Sequence, residues 1–136
     1  MNYTGASWAI VILNWNNWPD TIATVQAIQT WEALTPIVWV VDNGSQDDSV
    51  ERIRRECPAV RLLLSDHNLG FAAGNNLAIR QVLAEGQATC LLLLNNDAVI
   101  GEEVARRLLD TLSLHDALPI LYCIIYRRLR TSGFKS

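Results

Sequence analysis

A chain of 136 residues, half of them apolar and 18% charged, has room for one compact domain with a real core and too little for two ordinary ones, and its composition excludes a largely disordered polypeptide. The net charge of −3 hides a split: residues 1–112 carry seven Lys and Arg against 13 Asp and Glu, whereas 113–136 carry four against one. An acidic main body excludes nucleic acid as the principal partner, which calls for a basic face, and admits an anionic ligand only through a cation or helix N-termini.

In chain order, WAIVILN (8–14) is apolar, β-branched and of strand length. PDTIATVQAIQTW (19–31) repeats apolar residues at 22, 25 and 28, a helical spacing, with Pro19 and Asp20 suited to a first turn. PIVWVVDN (36–43) predicts a second strand. Ser45 and Asp48 resemble a capping box, after which DDSVERIRREC (47–57) predicts a helix that stops before Pro58. AVRLLLS (59–65) is a third strand; GFAAGNNLAIRQVLAEG (70–86) is a helix with Ile79, Val82 and Leu83 on one face and Gly86 as its C-cap. TCLLLLN (89–95) is a fourth strand and GEEVARRLLDTL (101–112) a fourth helix. The βαβαβαβα order with nearly unbroken apolar strands predicts an α/β fold, a doubly wound, mostly parallel sheet with helices on both faces.

Cys57, Cys90 and Cys123 have no zinc-ligand spacing, so Cys90 is read as packing and the setting as reducing and cytoplasmic. The N-terminal MNYTGASWAIVILNW has no signal-peptide pattern, and no apolar run reaches membrane-spanning length.

In such sheets ligands bind beyond the carboxyl ends of the strands. Those ends read Asn14-Trp15-Asn16-Asn17, Asp42-Asn43-Gly44-Ser45, Asp66-His67-Asn68-Leu69-Gly70 and Asn95-Asn96-Asp97, with one His and no Lys or Arg. Amides and carboxylates in fixed directions suit the hydroxyls and ring N–H of a sugar or nucleoside. A lone strand-end Asp suits Mg2+ or Mn2+, which keep waters and share a carboxylate with substrate phosphates. Asp97 is equally a turn or cap acid, and Asp42 equally a side chain that closes the Asn43-Gly44 turn. Trp15 and Trp18 are read as packing rather than base-stacking, Trp31 and Trp39 as core, His67 as a solvated loop residue, and Arg52, Arg54 and Arg55 as a solvated helix face. Neither a Walker-type loop nor a GxGxxG is present; GFAAGNN is a tight entry into a helix, with Gly74 permitting close backbone approach.

VILNWNN, VVDNGSQDDSVE, NLGFAAGNN and LLLLNNDAVI, in this order and spacing, resemble the nucleotide-binding part of family 2 glycosyltransferases, in particular the rhamnosyltransferase-like branch. The resemblance covers residues 8–112. It implies a GT-A-type fold and inverting transfer of a sugar from a nucleoside diphosphate donor, UDP- or dTDP-linked, to a glycan or lipid-linked acceptor hydroxyl. The family's Asp-x-Asp motif falls on Asn95-Asn96-Asp97, which leaves Asp97 as the metal ligand for Mg2+ or Mn2+. Donor contacts are implied at Leu13, Asn14, Asn16, Asp42, Asn43, Gly70, Gly74, Asn75, Asn95 and Asn96; Asn75 stands where many members carry Arg. The catalytic base belongs to the acceptor-binding part, after the metal motif, and no residue is assigned to it. The implied setting is cytoplasmic, or peripheral at the inner face of the membrane, in polysaccharide biosynthesis.

SLHDALPI (113–120) resembles a translated sequencing adapter, and the basic stretch after it fits no family expectation. Residues 113–136 are therefore expected to be a non-native or disordered tail, the alternative being an amphipathic segment at a membrane surface. Other readings of the whole chain are a non-catalytic nucleotide-binding fragment, a nucleotidyltransferase, and a receiver-like module. A receiver needs a downstream Lys, and residues 1–112 contain none.

Overall fold

The computed structural model describes residues 7–86, 88–113 and 123–126. Strands β1 (Trp8–Asn14), β2 (Ile37–Asn43), β3 (Arg61–Ser65), β4 (Cys90–Asn95) and β5 (Cys123–Tyr126) alternate with helices α1 (Trp18–Gln29), α2 (Ser49–Glu56), α3 (Phe71–Glu85) and α4 (Glu102–Ser113). They form one parallel sheet in the order β3-β2-β1-β4-β5, the doubly wound fold expected. The adapter-like residues 114–120 lie outside the described residues, as does the rest of the tail apart from β5.

Strand periodicity divides the core. Trp8, Ile10 and Ile12 of β1, with Val38, Val40, Leu92 and Leu94, pack under α1, α2 and α4. Ala9 and Val11, with Trp39, Val41, Leu91 and Leu93, pack under Ala78 and Val82 of α3. Because both faces are covered, the strands read as continuous apolar runs. Each fully buried Ile or Leu stabilises the fold by roughly 1.5–3 kcal/mol relative to exposure.

The connections through α1 and α2 step one way across the sheet over one face, and the connection through α3 steps back over the other, so all three share one hand. The β4–α4–β5 connection steps the same way as the α3 connection, yet α4 lies on the face of α1 and α2. It therefore has the opposite hand. That reversal falls at the join with 113–136, the stretch that the charge pattern sets apart.

Three local expectations are corrected. The capping box does not form: α2 starts at Ser49 behind Asp48, which makes no side-chain cap, because the Ser45 hydroxyl is spent on Asp42. Leu83 is 56% exposed; α3 buries Gly74, Asn75, Ala78 and Val82 instead. Trp15 does not pack and is 53% exposed, whereas Trp18 is partly buried beneath the Arg52 guanidinium, 4.6 Å from its ring centre, a cation–π contact between α1 and α2. Trp39 is core, as expected, and Trp31 stacks on Trp8 at 6.0 Å.

Glu102 ties the start of α4 to the loop before β2. Its carboxylate accepts backbone N–H bonds from Ala33 and Leu34 at 2.6 Å each and from Glu32 at 3.2 Å. The Leu34 bond leads in holding its pKa below the ordinary 4.5, with those of Glu32 and Ala33 adding to it. A depressed carboxylate pKa means that the clamp stabilises the fold fully above about pH 4.5 and is lost as pH falls through the folded value. The melting-temperature gap between wild type and Glu102→Gln should be present at neutral pH and close on acidification below that point, as read by circular dichroism.

Candidate functional site

The sheet brings the polar strand ends to one edge. Asn14 lies beside Asp42 in the β1–β2 register, and Leu13 lies beside Asn95 in the β1–β4 register. The strand order reverses between β1 and β4, the place where doubly wound sheets open a ligand crevice.

At the β2 end Asp42 is buried and fully engaged. One oxygen accepts from Asn14 Nδ2 at 3.0 Å and from Ser45 Oγ at 2.7 Å, and the other accepts from the Ser45 backbone N–H at 2.9 Å. Ser45 Oγ in turn accepts from the backbone N–H of Asn16 at 2.8 Å. Asn16 is exposed, with a left-handed φ of 49°, and its Oδ1 accepts from Gln46 N at 2.8 Å. Asp42 thus closes the turn Asp42–Ser45 and fastens the β1 loop to it. Asp42→Ala leaves the buried Asn14 Nδ2 only its longer bond to Ser45 Oγ at 3.3 Å and opens this network, so urea denaturation should show a loss of about 3 kcal/mol.

The opposite face is organised by Asn43, 2% exposed. Its Nδ2 donates to Asn68 Oδ1 at 3.0 Å and to the Gly70 carbonyl at 3.1 Å, and its Oδ1 accepts from Leu69 N at 3.0 Å. Gly70 enters α3 with φ 84°. Gly74 lies close to side chains rather than to backbone: a Cβ there would lie 2.8 Å from Leu13 Cδ1 and 3.0 Å from Asn43 Nδ2, so a larger residue would have to displace Leu13 and press on the Asn43 amide. Asn75, implied as a donor contact where many members carry Arg, is 3% exposed and donates to the Phe71 carbonyl of its own helix at 2.9 Å. Of the implied donor residues, Asn14, Asp42, Asn43 and Asn75 are buried and hydrogen-bonded within the fold. Asn16, Gly70, Asn95 and Asn96 reach the surface.

After β4, residues Asn95–Ala98 form a turn closed by Ala98 N donating to the Asn95 carbonyl at 3.0 Å. Asp97 rides on that turn, partly exposed, and lines a cleft of about 140 Å³ with Asp20, Ala23, Thr24 and Ala27 of α1. Among the described residues no three Asp, Glu, His or Cys side chains converge. The donors here are hard oxygens: the Asp97 carboxylate, that of Asp20 on the facing wall, which also accepts from Asn17 Nδ2 at 3.0 Å, and the Asn95 and Asn96 amides that precede Asp97 in the chain. That set fits a Mg2+ or Mn2+ held by one or two protein carboxylates, waters and a substrate's phosphates; it does not make a closed protein cage.

The sequence reading missed Thr21 and Thr24 and gave Ser45 the wrong partner, though all three hold the strand ends together. Thr21 and Thr24 sit three apart on a helix beside apolar residues 22, 25 and 28. A threonine pair on the buried side of an amphipathic helix was the available signal.

A doubly wound parallel sheet with an acid on a turn at its crossover point places the chain among the open α/β domains that carry their ligand sites at the strand ends. The glycosyl transferase family 2 profile matches residues 9–134, and the chain belongs to that family. The match runs past the four motifs into the stretch 113–136. No curated protein matches the sequence. Among solved structures, the mannosyltransferase PcManGT from Pyrobaculum calidifontis, in complex with GDP-Man and Mn2+, is similar at TM-score 0.50 and 23% identity, covering 57% of this chain and 25% of that one. S. aureus TarS 1-349 is similar at TM-score 0.59 and 20% identity, covering 80% and 33%. This chain therefore spans a quarter to a third of the length of those structures, and both share its GT-A fold.

Proposed function

We propose that the rim binds a nucleoside diphosphate sugar together with Mg2+ or Mn2+. Residues 8–112 are then the donor-binding portion of an enzyme that transfers the sugar, with inversion, to a glycan or lipid-linked acceptor hydroxyl. One observation carries the reading: the Asp97 turn stands at the crossover point of the sheet, on the same edge as the Asn14–Asp42 pair. Asp97 supplies the protein's carboxylate to the cation, with Asp20 across the cleft. The exposed Trp15 offers a flat face for the base, and Asn16 and the Asn95–Asn96 amides offer hydrogen bonds to ribose and sugar. When bound, the cation acts as a Lewis acid on the diphosphate oxygens, where charge develops as the anomeric C–O bond breaks. The rim clusters hold no Lys or Arg, so this chain's own task is to orient the donor and expose its anomeric carbon. The base that takes the acceptor's proton lies in the acceptor-binding part. The GDP-Man and Mn2+ of the Pyrobaculum mannosyltransferase support a nucleotide-sugar donor and add guanosine to uridine and thymidine as candidate bases. A cytoplasmic or membrane-peripheral location belongs to the same proposal.

Isothermal titration of the whole chain with UDP, dTDP and GDP, in Mn2+ and again in EDTA, tests this. One nucleotide should bind, and its affinity should fall at least about tenfold without the metal, since Asp97 would reach the phosphates only through a shared cation. Binding of none of them, or binding indifferent to metal, overturns the reading.

A further inference from the structure

We infer that Thr24, seconded by Thr21, is a positioning residue for the metal-binding turn, acting from α1 through the backbone on either side of Asp97. The inference rests on the proposed donor site and adds to it a route by which the helix sets cation affinity.

A threonine inside a helix ordinarily turns its hydroxyl back to a carbonyl of the preceding turn. The hydrogen bonds of Thr24 go elsewhere. Thr24 Oγ1 donates to the Asn96 carbonyl at 2.7 Å and shares that proton with the Ala98 carbonyl at 3.2 Å. These two carbonyls bracket Asp97 in sequence, and Thr24 itself is 5% exposed. Thr21, fully buried, donates to Asn14 Oδ1 at 2.6 Å and accepts from Asn96 Nδ2 at 3.3 Å. Two successive threonines on the buried side of α1 thus grip the turn, one by its backbone and one by the Asn96 side chain. Through Asn14 the second reaches Asp42.

The turn needs such a grip. It is closed by the bond from Ala98 N to the Asn95 carbonyl, and the residue after Ala98, Val99, is 62% exposed. A site with one carboxylate on its own turn gains little affinity from ligand number, so the fixed orientation of that carboxylate decides how well it competes with water for the cation. Groups that orient a metal ligand without touching the metal typically change affinity by about 10–100-fold. The cleft shared by Asp97 and Thr24 adds a geometric reason. Its α1 wall and its turn wall are joined by the Thr24 bonds, so the spacing between Asp20 and Asp97 depends on them.

The test is Mn2+ binding to the whole chain in saturating nucleoside diphosphate, read by electron paramagnetic resonance, which needs no turnover. Thr24→Val, close in shape but without the hydroxyl, should weaken Mn2+ binding by about tenfold or more, and Thr24→Ser should keep it within about twofold. Asp97→Ala is the control. If it weakens Mn2+ while Thr24→Val binds as wild type, the positioning role is overturned and the donor site stands. If Asp97→Ala leaves Mn2+ binding unchanged, the donor-site reading itself fails. A second measurement needs no variant. On adding Mn2+ and nucleoside diphosphate to the native chain, amide exchange should slow in Thr21–Val25 together with Asn95–Ala98. Protection confined to the turn would overturn the coupling.

Discussion

Asp97→Ala is expected to remove the metal-dependent part of nucleotide affinity, a loss on the order of 100-fold, while leaving the fold intact. The size follows from the composition of the site. Among the described residues no third metal-ligating side chain joins Asp97 and Asp20, so little remains to compensate for the loss of one. Groups one step removed from a metal already cost about 10–100-fold when deleted, and a direct ligand should match or exceed the top of that range. Asp97 is partly exposed, on a turn held by Thr24 and by the Ala98–Asn95 backbone bond, so its truncation leaves no cavity in the core. Calorimetry in Mn2+ should therefore show the variant binding nucleotide only as weakly as wild type does in EDTA. A variant that keeps its full metal response would overturn the assignment of the cation to this turn, and the donor-site reading with it. Melting temperature serves as the check that folding is unaffected.

Gly44→Ala is expected to be the most damaging single-methyl change, destabilising by at least about 3 kcal/mol. Gly44 has φ 76°, and a Cβ there would lie 2.5 Å from His67 C, 2.6 Å from His67 Cα and 2.8 Å from Asn68 N. The left-handed angle alone costs an L-residue roughly 1–2 kcal/mol. The clash adds more, because all three atoms are backbone and cannot swing aside as a flexible side chain can. Relief would have to separate the β2–α2 loop from the segment after β3, where Asn43 bonds Asn68, Leu69 and Gly70. Gly86 gives the comparison: its φ is 63° but nothing lies within 4 Å of its Cβ position, so Gly86→Ala should cost only about 1 kcal/mol. Urea midpoints for the two variants separate the angle from the contact. Equal midpoints would mean that the loops part without penalty.

Much of this domain was legible because its information is local. WAIVILN reads as a buried strand and became β1 without a shift in either boundary, and Gly86 ended α3 in the left-handed conformation expected of it. The four polar clusters also fell at strand ends, since a parallel sheet leaves only its ends open to solvent. What failed was the assignment of partners. Ser45 had two choices, a helix cap or its neighbour Asp42, and only the presence of Asn14 and Asn16 across the sheet made the second prevail. Leu83 matched the helical spacing of Val82 and Ile79, but which residues of α3 meet the sheet depends on where Gly74 lets the helix settle.

The sequence by itself determined the alternation of strands and helices, the parallel sheet and the polar edge, because hydrophobic period and turn chemistry act over a few residues. Only the tertiary structure decided which edge residues are buried and which reach the surface. Side chains along a strand alternate faces, so once register set Asn14 beside Asp42, both turned under α1 and α2 and were consumed in hydrogen bonds, and Asn43 turned under α3 to the same end. Asp97, on a turn beyond the last rung of the ladder, escaped that alternation and remained at the surface.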